Sequence, residues 1–202
     1  MKTKYVVCVE VLNSFLDTSK ILEISNLNMV IKNLWSLSTD EAITADRLKR
    51  ELGKNYEVFF PVNSQLKDID LVVFNLKNGK SKTVQVKGSR TYGSNDDQFA
   101  WIVVKENSIF KTTNKTDFFI FVWHVEKHNK GKRSIEQAYI VIPLDDLKRK
   151  CIVEKTKRRT GYYHFYFWTD LKKSAFDYPT EKNTKNKEID FSKYLNNFKL
   201  LE

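Results

Sequence analysis

A β-hairpin in the first half of the sequence constrains the fold more than any other feature. Two runs rich in strand-forming residues, Ile69–Leu76 and Ser81–Lys87, flank an Asn78-Gly79 pair. Asn-Gly pairs adopt the positive φ angles that tight turns require, so the two runs are expected to pair as antiparallel strands. Counted outward from a turn centred on Asn78-Gly79, Asp70 should lie opposite Lys87.

Segments on either side of the hairpin add helices and several further strands. Ser38-Thr39-Asp40-Glu41 is a capping-box pattern, and apolar residues then recur at helical spacing until Gly53, which predicts a helix over 39–52. The other predicted elements are strands at 5–12, 56–60, 99–104, 118–125, 137–142 and 162–168, helices at 26–35, from 143 and over 190–201, and polar loops at 88–97 and 177–188. Strands mixed with a few helices predict an α/β or α+β fold built on one mixed sheet. Residues 1–36 are treated as an N-terminal extension of unknown role, and 37–202 as a single domain.

Charge and composition limit the function classes. The chain has 202 residues, with 35 Lys and Arg against 25 Asp and Glu, so its net charge is +10. This charge favours a polyanionic partner, most often nucleic acid, although an ordinary basic surface is the alternative. Two cysteines exclude a disulfide scaffold and a four-cysteine zinc site. No apolar stretch is long enough to span a membrane, and the N-terminus lacks a signal-peptide pattern. We therefore expect a cytoplasmic protein without membrane contact.

Three polar residues of the hairpin indicate its chemistry. Gln85 and Lys87 share a face because side chains two residues apart on a strand point the same way, and Asp70 lies across from them. Carboxylate and amide oxygens suit Mg²⁺, which acidifies a bound water and stabilises negative charge on a phosphate. A lysine can orient that water or offset the developing charge. Together these residues predict metal-assisted phosphodiester hydrolysis.

These residues also carry a resemblance to a known family. Glu41 in a helix, then YEVFFPV, DIDLVVF, the Asn-Gly hairpin and VQVKGSR together resemble the PD-(D/E)xK nucleases over about residues 38–90. The resemblance implies a restriction-endonuclease-like α/β core, with a central mixed sheet flanked by helices. Asp70 matches the metal-binding aspartate, Lys87 the motif lysine, and Gln85 stands where most members have Glu or Asp. Glu41 matches the helix glutamate that some branches, including Holliday-junction-resolvase-like ones, add to the site.

The resemblance implies a metal-dependent DNA endonuclease. Mg²⁺, for which Mn²⁺ should substitute, would be bound by Asp70, Gln85 and the Val86 carbonyl, and by Glu41 directly or through water. Gln85 lacks the usual negative charge, so weaker metal binding is expected. The Q-x-K hairpin is similar to that of a homing-endonuclease branch. A homodimer would suit the cutting of both strands of a duplex, because one site addresses one phosphodiester.

Other interpretations remain open at this point. Asp70 and Lys87 could form only an ion pair, Gln85 a structural hydrogen bond, and Glu41 the second half of its capping box. Asp68 is expected to be a turn residue, or else to replace or assist Asp70. The alternative functions are a non-catalytic DNA-binding module on the same fold and an accessory subunit of a defence or mobile-element system.

Two basic segments are candidates for contact with the DNA backbone. Ser89 and Arg90 lie in the predicted loop that begins at Gly88, directly after the motif lysine, and are placed to contact phosphates. The second segment is a dense basic stretch formed by Lys148, Arg149, Lys150, Lys155, Lys157, Arg158 and Arg159. From it we take Lys148, Arg149, Lys157, Arg158 and Arg159 as DNA-binding candidates, with a solvated surface as the alternative.

An aromatic run and a histidine pair receive structural assignments. The residues over 162–168 are almost all aromatic, and although such rings can stack on unpaired bases, a core or edge strand is the favoured interpretation. His124, Glu126 and His128 have the wrong spacing for a zinc-binding helix and are assigned to the end of a strand.

Overall fold

The structure is a computed structural model that describes residues 39–61, 68–92, 99–111, 115–129, 132–154, 156–178 and 188–202. The N-terminal extension 1–36, with its predicted strand at 5–12 and helix at 26–35, lies outside the described residues. So does most of the predicted loop at 177–188. Within the described part, no helix is long and apolar enough to cross a membrane.

The helix that precedes the hairpin is confirmed. Helix α1 spans Thr39–Leu52 and buries a stripe formed by Ala45, Leu48 and Leu52. This stripe recurs at the three- and four-residue spacing of one helix face. Gly53, which has a φ angle of +69°, follows directly and ends the helix, because the left-handed conformation is favourable only for glycine and a few polar residues.

The described residues form ten strands and two further helices. The strands are β1 (Tyr56–Phe59), β2 (Leu71–Asn75), β3 (Ser81–Tyr92), β4 (Phe99–Lys105), β5 (Phe118–Asn129), β6 (Lys132–Pro143), β7 (Lys157–Arg159), β8 (Tyr162–Thr169), β9 (Ala175–Asp177) and β10 (Ile189–Asp190). Helix α2 spans Glu106–Phe110 and helix α3 spans Leu144–Ile152. Helix α3 confirms the helix predicted from residue 143, whereas α2 was not predicted.

The predicted mixed sheet is confirmed as a five-stranded sheet of order β1-β2-β3-β5-β6. Strands β3 and β5 are parallel, and every other neighbouring pair in this order is antiparallel. The loop predicted at 88–97 is wrong in its first half. Strand β3 continues to Tyr92 because Val84–Arg90 pair with Phe118–His124 of β5, which satisfies the backbone groups of residues that look loop-like in sequence.

A second, antiparallel sheet follows from the far end of β3. Thr91 and Tyr92 of β3 pair with β4, β4 pairs with β8, and β8 pairs with both β7 and β9. Strand β10 closes this sheet on β9. Strand β3 therefore belongs to both sheets.

Alternation along β3 divides its side chains between two cores. Val84 and Val86 face α1 in one core, together with residues of β2, β5 and β6. Gln85 and Lys87 belong to the opposite face, in register with Phe119 and Phe121. The second sheet covers that face in the other core.

The predicted C-terminal helix over 190–201 is wrong. Short 3₁₀ turns at Ser192–Tyr194 and Phe198–Leu201 replace it, separated by Asn196 with a φ angle of +49°. Asn196 donates its N–H to the Tyr139 carbonyl at 2.7 Å, and its side-chain oxygen accepts the Tyr139 N–H at 3.2 Å. The apolar residues on either side of Asn196 enter different cores, so tertiary packing overrides the helical periodicity.

Candidate active site

Asp70 is held at the mouth of the hairpin by the backbone of β3. Its carboxylate Oδ2 accepts a hydrogen bond from the Val86 N–H at 2.7 Å, and its own N–H donates to the Val84 carbonyl at 2.9 Å. A carboxylate fixed by a backbone donor has little rotational freedom. The position of this candidate ligand is therefore set by the strand pairing.

The register of the hairpin differs from the predicted one by two residues. Leu71 pairs with Val84, which places Asp70 across from Gln85 rather than Lys87. The reason is a longer loop: Asn75 donates its N–H to the Lys80 carbonyl, and its side-chain oxygen accepts backbone N–H groups within the turn. Because side chains alternate with a period of two, a two-residue shift leaves every side chain on its predicted face.

Gln85 contributes an unusual buried oxygen. Its side chain is 3% exposed, and its Oε1 has no hydrogen-bond partner among the described residues. A buried carbonyl-type oxygen without a partner costs about 1–3 kcal/mol, and native structures contain few of them. An oxygen in this state, across from a fixed carboxylate, is suited to bind a cation.

Lys87 completes the group that the structure brings together. Burial, the largest effect, raises the pKa of Asp70, while the positive charge of Lys87 and the Val86 N–H lower it and the charge of Asp68 raises it again. The net direction is upward, so the ionised carboxylate is disfavoured in this pocket unless more positive charge arrives. A divalent cation would supply that charge.

The donor set fits Mg²⁺. The N–H and C=O of one strand residue point to the same side, so the Val86 carbonyl leaves β3 on the side where Asp70 binds the Val86 N–H. Asp70, Gln85 and Val86 thus offer hard oxygen ligands from three different chemical groups. Within the described part no cluster of three His, Cys, Asp or Glu side chains is suited to hold a metal, so a site here depends on the amide and backbone oxygens.

The first turn of α1 lies against β3 next to Lys87. A Cβ atom built on Gly88 would lie 1.8 Å from Asp40 Oδ2, so a larger residue at 88 would require the Asp40 side chain to move. Asp40 Oδ1 also lies 3.5 Å from His124 Nε2. Sequence reasoning missed this contact, although a glycine directly after the motif lysine is the signal that could have revealed it. Glu41, the next residue of this turn, is half-buried, and its role as a ligand stays a prediction.

Comparison with known proteins gives one distant structural likeness. No family model matches the chain, and no curated protein matches it in sequence. The structure is similar to the solved structure of a bacterial homing endonuclease. The two are 16% identical with a TM-score of 0.41, over 81% of this chain and 90% of that chain. This likeness is too distant to carry an argument about function.

Several of the predicted DNA-binding residues make contacts within the chain. Lys148 pairs with Asp145 at 3.2 Å, Arg149 pairs with Asp146, and Arg158 binds both carboxylate oxygens of Glu106 at 2.8 and 3.0 Å. A phosphate would compete with these carboxylates. The basic stretch therefore acts at least in part as an ion-paired surface, with the small stabilisation typical of exposed pairs.

The remaining candidates lie near β4 and β8. Ser89 donates its hydroxyl to the Trp101 carbonyl at 2.9 Å, which ties β3 to β4. Lys157 Nζ lies 5.6 Å from the centroid of the Tyr166 ring, and Arg159 is exposed. The side chain of Arg90 lies outside the described part.

The aromatic run of β8 is confirmed as a core strand on one of its faces. Tyr163, Phe165 and Phe167 are buried and alternate with residues that are exposed or half-buried. Phe165 and Phe167 pack on Phe121 of β5 with ring centroids 5.0 and 5.2 Å away. The side chains on the other face of β8 do not belong to this core.

Proposed function

We propose that this protein is a metal-dependent endonuclease that hydrolyses DNA phosphodiester bonds. The observation that carries the proposal is the buried, unpartnered Gln85 oxygen across from an Asp70 carboxylate fixed on the Val86 N–H, with Lys87 close enough to shift the Asp70 pKa. The net charge of +10 supports DNA as the partner.

Each residue has a role that follows from its place. Asp70, Gln85 and the Val86 carbonyl would hold Mg²⁺, and Glu41 would reach it directly or through water. Bound there, the ion supplies a water of lowered pKa and offsets negative charge on the phosphate. Lys87, on the same face as Gln85, would hold the attacking water by hydrogen bonding and balance charge on the phosphate oxygens.

Cleavage assays on matched variants test this proposal. Purified protein is incubated with supercoiled plasmid and with branched DNA in Mg²⁺ or Mn²⁺, and Asp70→Asn and Lys87→Met should each lower cleavage at least about 100-fold. Lys80→Ala, an exposed lysine in the hairpin turn, serves as the control and should cleave like the wild type. Cleavage retained by either site variant would overturn the assignment of the site.

One observation favours a second candidate function. The neutral Gln85 leaves Asp70 with fewer acidic neighbours than a strong Mg²⁺ site has, which suits a non-catalytic DNA-binding or accessory subunit of a defence or mobile-element system. That function requires salt-sensitive DNA binding that does not change when Mg²⁺ is chelated. Binding without cleavage in either metal would favour it.

The oligomeric state belongs to the same proposal. One site cuts one phosphodiester, so double-strand cleavage by this chain would use two copies. Sedimentation of the protein with and without duplex DNA distinguishes a homodimer from a monomer that only nicks.

A further inference from the structure

The second sheet presents an aromatic surface that the proposed active site does not use. Trp101 of β4 is 46% exposed, and the residues of β8 that alternate with its buried residues face the same side. Paired residues of neighbouring strands share a face, so the register assigns Phe176 of β9 to this side as well. We call these side chains the aromatic platform: Trp101, His164, Tyr166, Trp168 and Phe176.

The rings of the platform are ordered relative to one another. The Trp101 and Tyr166 rings are 4° from parallel with centroids 6.1 Å apart, and the Trp101 and His164 rings are 20° from parallel at 6.0 Å. Trp101 Nε1 donates a hydrogen bond to His164 Nδ1 at 3.2 Å, which fixes the indole. Trp168 and Phe176 form a second near-parallel pair at 24° and 6.3 Å. The rings are therefore in place before any ligand binds.

Cations border one end of the platform. Lys157 pairs with His164 across the strands, while Lys105 and Arg159 are both in register with Tyr162, which places all three basic residues on the outer face. Lys105 and Arg159 are exposed, and neither pairs with a carboxylate in the described part. The pKa of His164 is lowered by burial first and then by Lys157 and Arg159, in keeping with a positive potential over the rings.

This combination matches the chemistry of single-stranded nucleic acid. Flat aromatic rings stack on bases whatever their identity, and bordering cations attract the phosphates that connect the bases. A purely apolar partner would gain nothing from the exposed cations. Bases paired inside a duplex do not present their faces to a protein surface.

We propose that the aromatic platform binds the unpaired bases of single-stranded DNA, with Lys105, Lys157 and Arg159 contacting its phosphates. The proposal goes beyond the proposed nuclease function and requires neither metal nor cleavage. Ser89, two residues after Lys87, donates its hydroxyl to the Trp101 carbonyl, so β3 is joined there to the strand that carries Trp101.

Equilibrium binding with the metal chelated tests the platform alone. Fluorescence anisotropy of a labelled oligodeoxythymidine, and of a labelled duplex, is measured with the full chain in EDTA. Trp101→Ala should weaken single-strand binding about tenfold, the effect typical of removing one stacking ring, and should leave duplex binding unchanged within about twofold. Val103→Ala is the matched control, because Val103 lies on the same strand and face and is 40% exposed but carries no ring. It should bind like the wild type.

Further measurements keep the test decisive. Thermal unfolding verifies that each variant is folded, and Trp101→Phe, which retains a ring, should bind with intermediate affinity. Tryptophan fluorescence of the wild type should be quenched by the oligonucleotide, and less so in Trp101→Phe, in which Trp168 is the remaining tryptophan of the platform. Equal single-strand affinity of the wild type and Trp101→Ala would overturn the proposal. The proposal would also be overturned if Trp101→Ala weakened single-strand binding only because it dissociated a dimer.

Failure of the nuclease assignment gives a different result. The Trp101→Ala effect is measured in EDTA, where the proposed Asp70 site holds no metal, so this effect is read independently of cleavage. A chain that never cleaves but shows the Trp101 effect would leave the platform standing without the nuclease. A chain that cleaves DNA but binds single strands equally well with and without Trp101 would support the nuclease assignment and overturn the platform proposal.

Discussion

At the scale of single residues, the Gln85 oxygen is expected to affect both the stability of the metal-free protein and its affinity for metal. This buried oxygen lacks a partner among the described residues, so it destabilises the fold when no cation is bound. Gln85→Leu keeps a similar volume and removes the oxygen. We expect the free energy of unfolding without metal to rise by about 1 kcal/mol, measured by urea denaturation in EDTA, while calorimetric Mg²⁺ binding is lost.

Gln85→Glu provides the opposite change. A second carboxylate beside Asp70 should destabilise the metal-free protein through repulsion and burial, and should bind Mg²⁺ more tightly than the wild type. Urea denaturation with and without Mg²⁺ then separates the two effects. If Gln85→Leu instead destabilises the protein and leaves Mg²⁺ affinity unchanged, Gln85 is a structural residue and the site has other ligands.

The sequence predicted the candidate site well because its residues belong to one hairpin and lie close together along the chain. Asp70, Gln85 and Lys87 could be placed on one face from the hairpin alone, since alternation survives an even shift of register. The contact between Asp40 and Gly88 could not be placed, because it depends on how closely α1 approaches β3. The pairing of Arg158 with Glu106, 52 residues away in sequence, likewise required the folded chain.

At the scale of elements, one asparagine determines where the hairpin puts its active-site residues. The Asn75 side chain accepts N–H groups from Lys77 and Asn78 and donates to the Tyr56 hydroxyl at 3.0 Å. Asn75→Ala removes these contacts and should lower the free energy of unfolding by about 1–2 kcal/mol. Mg²⁺ affinity should fall as well, because Asp70 is positioned by the same register.

The neighbouring lysine supplies the control for this prediction. Lys77→Ala changes an exposed side chain of the same turn and should alter neither unfolding nor calorimetric Mg²⁺ binding. If Asn75→Ala lowers stability but leaves Mg²⁺ affinity intact, the register is held by the strands alone. The position of Asp70 would then be independent of the loop.

Elements were predicted well where one local signal dominated and badly where two cores competed. Capping and spacing placed α1 correctly, and apolar runs located β4, β5, β6 and β8. The C-terminal segment has helical spacing, yet its apolar residues divide between the two cores and Asn196 reverses the chain between them. The spacing of apolar residues alone does not show whether they form one face of a helix or pack into two different cores, one after the other.

At the scale of the whole molecule, a buried carboxyl group at the core of the second sheet should set the pH dependence of stability. Asp177 is fully buried, and its Oδ1 accepts the Tyr166 N–H at 2.7 Å. Burial raises the pKa of Asp177 to about 7 from an ordinary value of 3.8, against the lowering effect of hydrogen bonds from Tyr166 and Thr156. The folded protein therefore binds this proton more tightly than the unfolded chain does.

The sign of the effect follows from that difference. The stabilisation is complete below pH 3.8 and is lost as the pH rises through about 7, because the folded state must then bury a charge. Asp177→Asn keeps the acceptor oxygen and cannot ionise. The free energy of unfolding of Asp177→Asn, relative to that of the wild type, should therefore increase by a few kcal/mol from about pH 4 to pH 8.

Urea denaturation across this pH range checks the prediction, with Asp170 as the control because its pKa is lowered rather than raised. Backbone hydrogen bonds, first of all from the Ser174 N–H, lower the pKa of Asp170 to about 2, so above about pH 5 Asp170 is ionised in both the folded and the unfolded state. Asp170→Asn should accordingly differ from the wild type by a constant amount above that pH. A constant difference for Asp177→Asn as well would mean that Asp177 ionises normally in the folded chain. Its burial between the two sheets would then be relieved by water or by opening of β9, and the second sheet would be less tightly closed than its packing indicates.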